Sequence, residues 1–69
     1  MTNFKLANLT KKEKAIIKFV VQGFTNAEIA RVFGCTESCI KIHVSNILSK
    51  FEVKNRAQLG YVIGVNNLV

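Results

Sequence analysis

The 69-residue chain carries ten Lys and Arg against four Asp and Glu, a net charge of +6 that suits a polyanionic partner. Its hydrophobic share of 49% excludes disorder. With no signal peptide and no apolar run near the ~20 residues of a membrane helix, it is expected to be one small cytoplasmic domain without membrane contact.

The composition and periodicity predict an all-α domain of four helices. Proline is absent, and no window alternates cleanly enough for a strand. Residues 1–8 are expected to form a flexible N-terminal arm, with Phe4, Leu6 and Leu9 packing back. The domain proper is expected over 9–69. Thr10-Lys-Lys-Glu13 has the form of a capping box, in which the Thr hydroxyl takes an orphan backbone N–H and the Glu reaches back. It opens a helix over about 10–22 with Ile16, Ile17, Val20 and Val21 inward, and Gly23 ends it as a left-handed cap. Thr25-Asn-Ala-Glu28 opens a second helix over 26–33, with Ile29, Ala30 and Phe33 inward and Gly34 closing it. Thr36 caps a third, 37–51, with Glu37 in its first turn, where a negative charge favours the helix dipole. Asn55-Arg-Ala-Gln58 opens a fourth, 56–67.

The third helix is two-sided. Ile40, Val44, Ile47, Leu48 and Phe51 form one stripe, and Ser38, Lys41, Ile42, Ser45, Asn46 and Ser49 occupy the other side. That other side carries a cation, hydroxyls, an amide and a branched aliphatic, and no acid. A merely solvated face normally mixes Glu with Lys, whereas a face for a nucleic-acid groove avoids carboxylates that repel phosphate. The second helix, a tight turn at Gly34-Cys35 with Cys35 in the core, and the third helix make a helix-turn-helix, whose second helix is built to enter the major groove.

The fourth helix is apolar on two sides. Leu59, Val62 and Ile63 make the intrachain stripe; Ala57, Tyr61, Gly64, Val65 and Leu68 make a second one. A helix apolar all round must bury both sides, and Gly60 and Gly64 allow a close backbone approach. A chain this short buries only about 60% of its unfolded surface, so a two-fold dimer through this helix is expected. Residues 1–8 of the same chain are the competing cover for that stripe.

Cys35, Cys39 and His43 are spaced by four, but a fourth ligand is missing, so no metal site and no cofactor are expected. The two cysteines are most simply free thiols. No nucleophile–base set or phosphate loop is present, which argues against an enzyme.

Four segments together resemble the LuxR/FixJ-type (GerE-like) DNA-binding domain. They are Leu9-Thr-Lys-Lys-Glu13, Gly23-Phe-Thr-Asn-Ala-Glu-Ile-Ala30, Thr36-Glu-Ser-Cys-Ile-Lys-Ile-His43 and Asn46-Ile-Leu-Ser-Lys-Phe-Glu-Val53. The match runs in order from Leu9 to about Leu59. The resemblance implies a four-helix domain in which the third helix reads double-stranded DNA and the fourth often forms the dimer contact. Carried across position by position, it implies base contacts from Lys41, Ile42 and Ser45. It implies phosphate or groove contacts from Thr36, Ser38 and Asn46. Thr25 and Asn26 start the second helix, where backbone N–H groups can hold a phosphate, and Lys50 and Lys54 flank the end of the third, from which they are expected to reach the DNA backbone. Cys39 stands where Thr is common, Ser45 is short where some relatives are long, and Phe51 replaces the usual Leu; the first two bear on which sequence is read.

The expected function is therefore a sequence-specific, homodimeric DNA-binding transcription regulator. The alternative is a small adaptor that heterodimerises with a larger regulator of the same family. Met1 fits a complete protein and equally a C-terminal domain cut from a larger regulator.

Overall fold

The computed structural model describes residues 9–65 and forms four helices: α1 (Lys11–Val21), α2 (Asn26–Phe33), α3 (Glu37–Phe51) and α4 (Arg56–Val65). The arm predicted over 1–8, the extension of the fourth helix to residue 67, and Leu68 lie outside the described residues.

The helices begin where side chains satisfy their orphan N–H groups. At α1 the Thr10 hydroxyl accepts from the Glu13 backbone at 3.0 Å, and Glu13 accepts from the Thr10 backbone at 3.0 Å. At α2 the Thr25 hydroxyl accepts from the Glu28 backbone at 3.1 Å, and Glu28 accepts from the Thr25 backbone at 2.8 Å. At α3 the Thr36 hydroxyl accepts from the Cys39 backbone at 3.1 Å. Each such cap contributes about 1 kcal/mol. The start of α4 is offset by one residue from a standard box. Asn55 accepts from the Gln58 backbone at 2.9 Å, but Gln58 accepts from Lys54, not Asn55, at 2.7 Å.

Three helices end in the same way. A left-handed residue (Gly23, φ 91; Gly34, φ 67; Glu52, φ 57) is followed by a backbone N–H that reaches back five residues. These bonds run from Phe24 to Phe19, Cys35 to Ala30 and Val53 to Leu48, each at 3.0 Å. This is the Schellman arrangement. At Gly23 and Gly34 the missing Cβ removes the cost of the left-handed conformation; at Glu52 that cost remains.

Ile16, Ile29, Ile40, Ile47 and Leu59 are fully buried, each burial contributing roughly 1.5–3 kcal/mol. Leu9, Ile17, Val20, Ala30, Val44, Phe51 and Ile63 complete the core. The α3 helix is its centre and packs against the other three, most extensively against α2. Two expectations need correction. Val21 is exposed, since it lies toward the flank of α1 away from the Ile16–Val20 stripe. Cys35 is only half-buried, because the turn at Gly34 sets it at the rim of the core beside Cys39. Phe33, expected inward, is half-buried and packs against the core. It joins an aromatic group the periodicity did not reveal, in which Phe19 meets Phe24 and Phe33 edge-on at 5.0 and 5.8 Å.

Candidate nucleic-acid interface

The two sides of α3 separate cleanly. Ile40, Val44, Ile47 and Phe51 are buried and Leu48 half-buried, whereas Ser38, Lys41, Ile42, Ser45, Asn46 and Ser49 are exposed. Ile42 is 63% exposed, although leaving a large aliphatic in water forgoes the burial energy a core site would supply. The exposed side keeps its acid-free character. Glu37, in the first turn, lies on the flank, where it lines an open hollow with Phe24, Thr25, Asn26 and Arg56.

The residues expected at phosphates fall into three settings. Thr25 and Asn26 at the start of α2 meet the first turn of α3 around that hollow. The Thr25 and Thr36 hydroxyl oxygens accept from their own helices, which leaves each O–H able to donate outward. Asn26 is half-buried, and its amide oxygen accepts from Arg56 at 2.5 Å. Lys54 is exposed in the α3–α4 turn. Lys50 is placed differently. Its ammonium meets the buried Glu13 carboxylate of α1 at 2.7 Å, so a phosphate contact there would have to share it.

Two residues that the sequence marks only by their local helix-start patterns make long-range pairings that organise this surface. Glu13 serves as capping partner and also as an anchor for Lys50. Arg56 reaches from α4 to the start of α2. Both pairings join residues 30 or more apart in the chain; local spacing carries no signal of them.

On α4, Leu59 and Ile63 are buried and Val62 half-buried. Ala57, Tyr61, Gly64 and Val65 are exposed, Tyr61 at 71% and Val65 at 63%. The second stripe is therefore open to solvent over its described part. The half-exposed Cys35 thiol is pushed above its ordinary value of 9.0 by desolvation, by its hydrogen bond to Cys39 and by the charge of Cys39, with Lys12 opposing. Among the described residues no group of three His, Cys, Asp or Glu side chains is placed to hold a metal ion. No helix among them is long and apolar enough to cross a membrane.

Residues 7–63 match the family described as bacterial regulatory proteins, luxR family. The chain is 40% identical over 58 residues to a probable transcriptional regulator, ycf29, of Guillardia theta, covering 84% of this chain and 28% of that protein. It is 41% identical over 61 residues to the response regulator protein VraR of Staphylococcus aureus, covering 88% of this chain and 29% of that protein. The chain thus spans under a third of the length of either relative. With four helices, an intact helix-turn-helix and a match over most of its length, the chain belongs to the luxR family of bacterial regulatory proteins and carries that family's DNA-binding domain.

Proposed function

We propose that the chain is a sequence-specific transcription regulator that acts in the cytoplasm as a homodimer on double-stranded DNA. The exposed, acid-free side of α3 carries this reading. A groove-facing helix must present donors, acceptors and methyl groups without a carboxylate, and Ser38, Lys41, Ile42, Ser45 and Asn46 meet that requirement while the other side of α3 is buried.

In this reading α3 lies in the major groove, and Lys41, Ile42 and Ser45 meet base edges. Ile42 suits the thymine methyl group and Lys41 suits the acceptors of guanine. Thr25, Asn26, Thr36, Ser38, Asn46, Lys50 and Lys54 meet the backbone, which sets register and supplies most of the affinity. A second copy covers Ala57, Tyr61, Gly64, Val65 and Leu68. Two-fold pairing then places two recognition helices in successive major grooves, with half-site centres about 10 bp apart or a multiple of that. If each subunit neutralises about four phosphates, log K falls against log salt with a slope near −7 for the dimer.

The test is selection of bound fragments from the source genome, followed by footprinting of the enriched sites. A two-fold motif with that spacing is the expected result. Absence of any DNA retardation at low salt overturns the reading and leaves the adaptor, which would use the same α4 stripe to pair with a larger member of the family.

A further inference from the structure

Cys35 and Cys39 are the two cysteines of the chain, and they meet across the turn of the helix-turn-helix. Cys35 closes the end of α2, where its N–H donates to the Ala30 carbonyl at 3.0 Å. Cys39 belongs to the first turn of α3, where its N–H donates to the Thr36 hydroxyl at 3.1 Å. Both thiols are free and half-buried, and their side chains are hydrogen-bonded to each other. The proposed DNA contacts use neither sulfur. A closed zinc site needs four ligands, and no group of even three is assembled among the described residues. Covalent joining of the pair needs only these two.

The surroundings suit thiol–disulfide exchange. The Lys12 ammonium of α1 lies 5.6 Å from the centre of the Phe33 ring, and its charge acts on Cys35. A cation beside a half-exposed thiol favours the thiolate and draws in anionic reagents. Desolvation and the Cys39 side chain oppose it and hold the Cys35 thiol up. A small thiolate fraction slows attack on a free reagent far more than attack on a sulfur already in contact. Cys35 is therefore suited to the second, internal step of an exchange.

We propose that Cys35 and Cys39 form a reversible disulfide that closes across the helix-turn-helix and switches site-specific DNA binding off. The bond stands apart from the reading that the chain binds duplex DNA; the switch rests on that reading. The oxidant is a low-molecular-weight disulfide. The Cys39 thiolate attacks one of its sulfurs and expels the first small thiol, which leaves a mixed disulfide on Cys39. The Cys35 thiolate then attacks the Cys39 sulfur and expels the second. Two protein S–H bonds are replaced by one S–S bond, the small disulfide is reduced to two thiols, and those thiols carry away both protons. The closed loop runs only from residue 35 to 39. Short loops gain least from cross-linking, so the bond is readily reduced, as a switch requires. A disulfide brings its sulfurs to about 2.05 Å, well inside the separation of hydrogen-bonded thiols. Closure therefore draws the first turn of α3 toward the end of α2. Ser38 adjoins Cys39, and Lys41 and Ile42 follow in the next turn, so the proposed groove contacts shift with it.

The test has two arms on the full 69-residue chain. In the first, the chain is equilibrated at neutral pH with glutathione disulfide and glutathione in varied ratio, then mapped by mass spectrometry. The expected product has lost two hydrogens and carries its bond between Cys35 and Cys39. Cys39→Ser is expected to retain a glutathione adduct on Cys35, with no second sulfur to resolve it. A persisting adduct on the wild type, a disulfide between chains, or thiols left free in excess glutathione disulfide overturns the bond. In the second arm, oxidised and reduced chains are titrated with a duplex selected from the source genome. The oxidised chain is expected to bind about tenfold more weakly and to recover on reduction. The chain with both Cys35→Ser and Cys39→Ser is expected to bind alike under both conditions. Equal binding of the oxidised and reduced wild type overturns the switch. A reduced chain that binds no duplex at low salt overturns the DNA reading and the switch with it, while the mapping alone still decides the bond.

Discussion

Lys50 in the last turn of α3 and Glu13 in the first turn of α1 are joined by a 2.7 Å contact between Nζ and Oε1. Glu13 is 3% exposed, and the same oxygen accepts from the Thr10 backbone at 3.0 Å. One carboxylate thus completes a helix cap and ties that helix to α3. Burial by itself pushes the Glu13 carboxyl up. The hydrogen bonds from Lys50 and Thr10 and the charges of Lys50 and His43 outweigh burial and hold it below its ordinary 4.5. Because the folded-state value is the lower one, the unfolded chain takes up the proton first on acidification. The stabilisation is complete above the ordinary value and is lost as pH falls through the folded-state value. Glu13→Gln is expected to cost on the order of 1–3 kcal/mol at neutral pH. It is also expected to remove this part of the acid dependence. Denaturant unfolding from pH 7 down to pH 3 measures both; the same loss on acidification in the variant as in the wild type would refute the assignment.

The two lysines at the ends of the proposed interface should fail in different ways. Lys41 lies on the exposed side of α3, whereas Lys54 sits in the turn beyond it. Lys41→Ala is expected to cost about 1–3 kcal/mol of discrimination between a selected site and random duplex. Lys54→Ala is expected to weaken all sequences alike and to make the salt slope shallower by about one for each lysine removed. Fluorescence anisotropy titrations at several salt concentrations separate the two patterns. Equal losses on specific and random DNA for Lys41→Ala would show that it contacts only the backbone.

Cys35 offers a chemical check on the rim of the core. Its thiol is held above the ordinary value by desolvation and by Cys39, and only the thiolate reacts with alkylating agents. Cys35 is therefore expected to react with iodoacetamide more slowly at neutral pH than an unhindered thiol does, with its rate still rising above pH 9.0. Peptide mapping after timed labelling across a pH series reads the rate. A plateau below that pH would contradict the assigned environment.

The parts of this fold that were legible in the sequence are the ones with local causes. Thr10 with Glu13, Thr25 with Glu28, and Thr36 each sit within three residues of the N–H they cap, so spacing alone exposes them. The buried side of α3 follows from a 3.6-residue period. The candidate reading face is then its complement, and exposure places all six of its residues as expected. The links between helices had no such signal. Neither Lys50 with Glu13 nor Arg56 with Asn26 is implied by any period. From sequence, Lys50 stands only as a candidate phosphate contact and Arg56 only as part of a helix-start pattern. The end of α3 at residue 51 matches the expected one, but its cap carries no glycine signal. Glycine marks the left-handed residue after α1 and α2, but Glu52 fills that role after α3, a conformation a non-glycine residue adopts at a cost. Glu52→Gly is expected to stabilise the fold by roughly 0.5–1 kcal/mol. A thermal melt that moves down instead of up would mean that the Glu52 side chain contributes more than its backbone strain costs.

The α4 stripe can be tested without disturbing the core. A Cβ built on Gly64 would meet nothing within 4 Å in the isolated chain, so Gly64→Ala adds helix propensity, worth up to about 1 kcal/mol, at no steric cost inside the subunit. If a second copy packs closely there, the same methyl group intrudes on its backbone. The two effects then oppose each other, with a more stable monomer and a weaker dimer. Tyr61→Glu, at a position 71% exposed, should leave the melting temperature of the monomer nearly unchanged. It should nevertheless abolish self-association, because a carboxylate would be buried unpaired against its two-fold copy. Sedimentation equilibrium over a range of concentrations, with melting followed below the dissociation constant, reads both quantities. Dimers that persist unchanged in Tyr61→Glu and Gly64→Ala would place the interface elsewhere. Loss of dimer accompanied by loss of site-specific DNA binding, but not of weak random binding, is the pattern expected when two recognition helices must act as a pair.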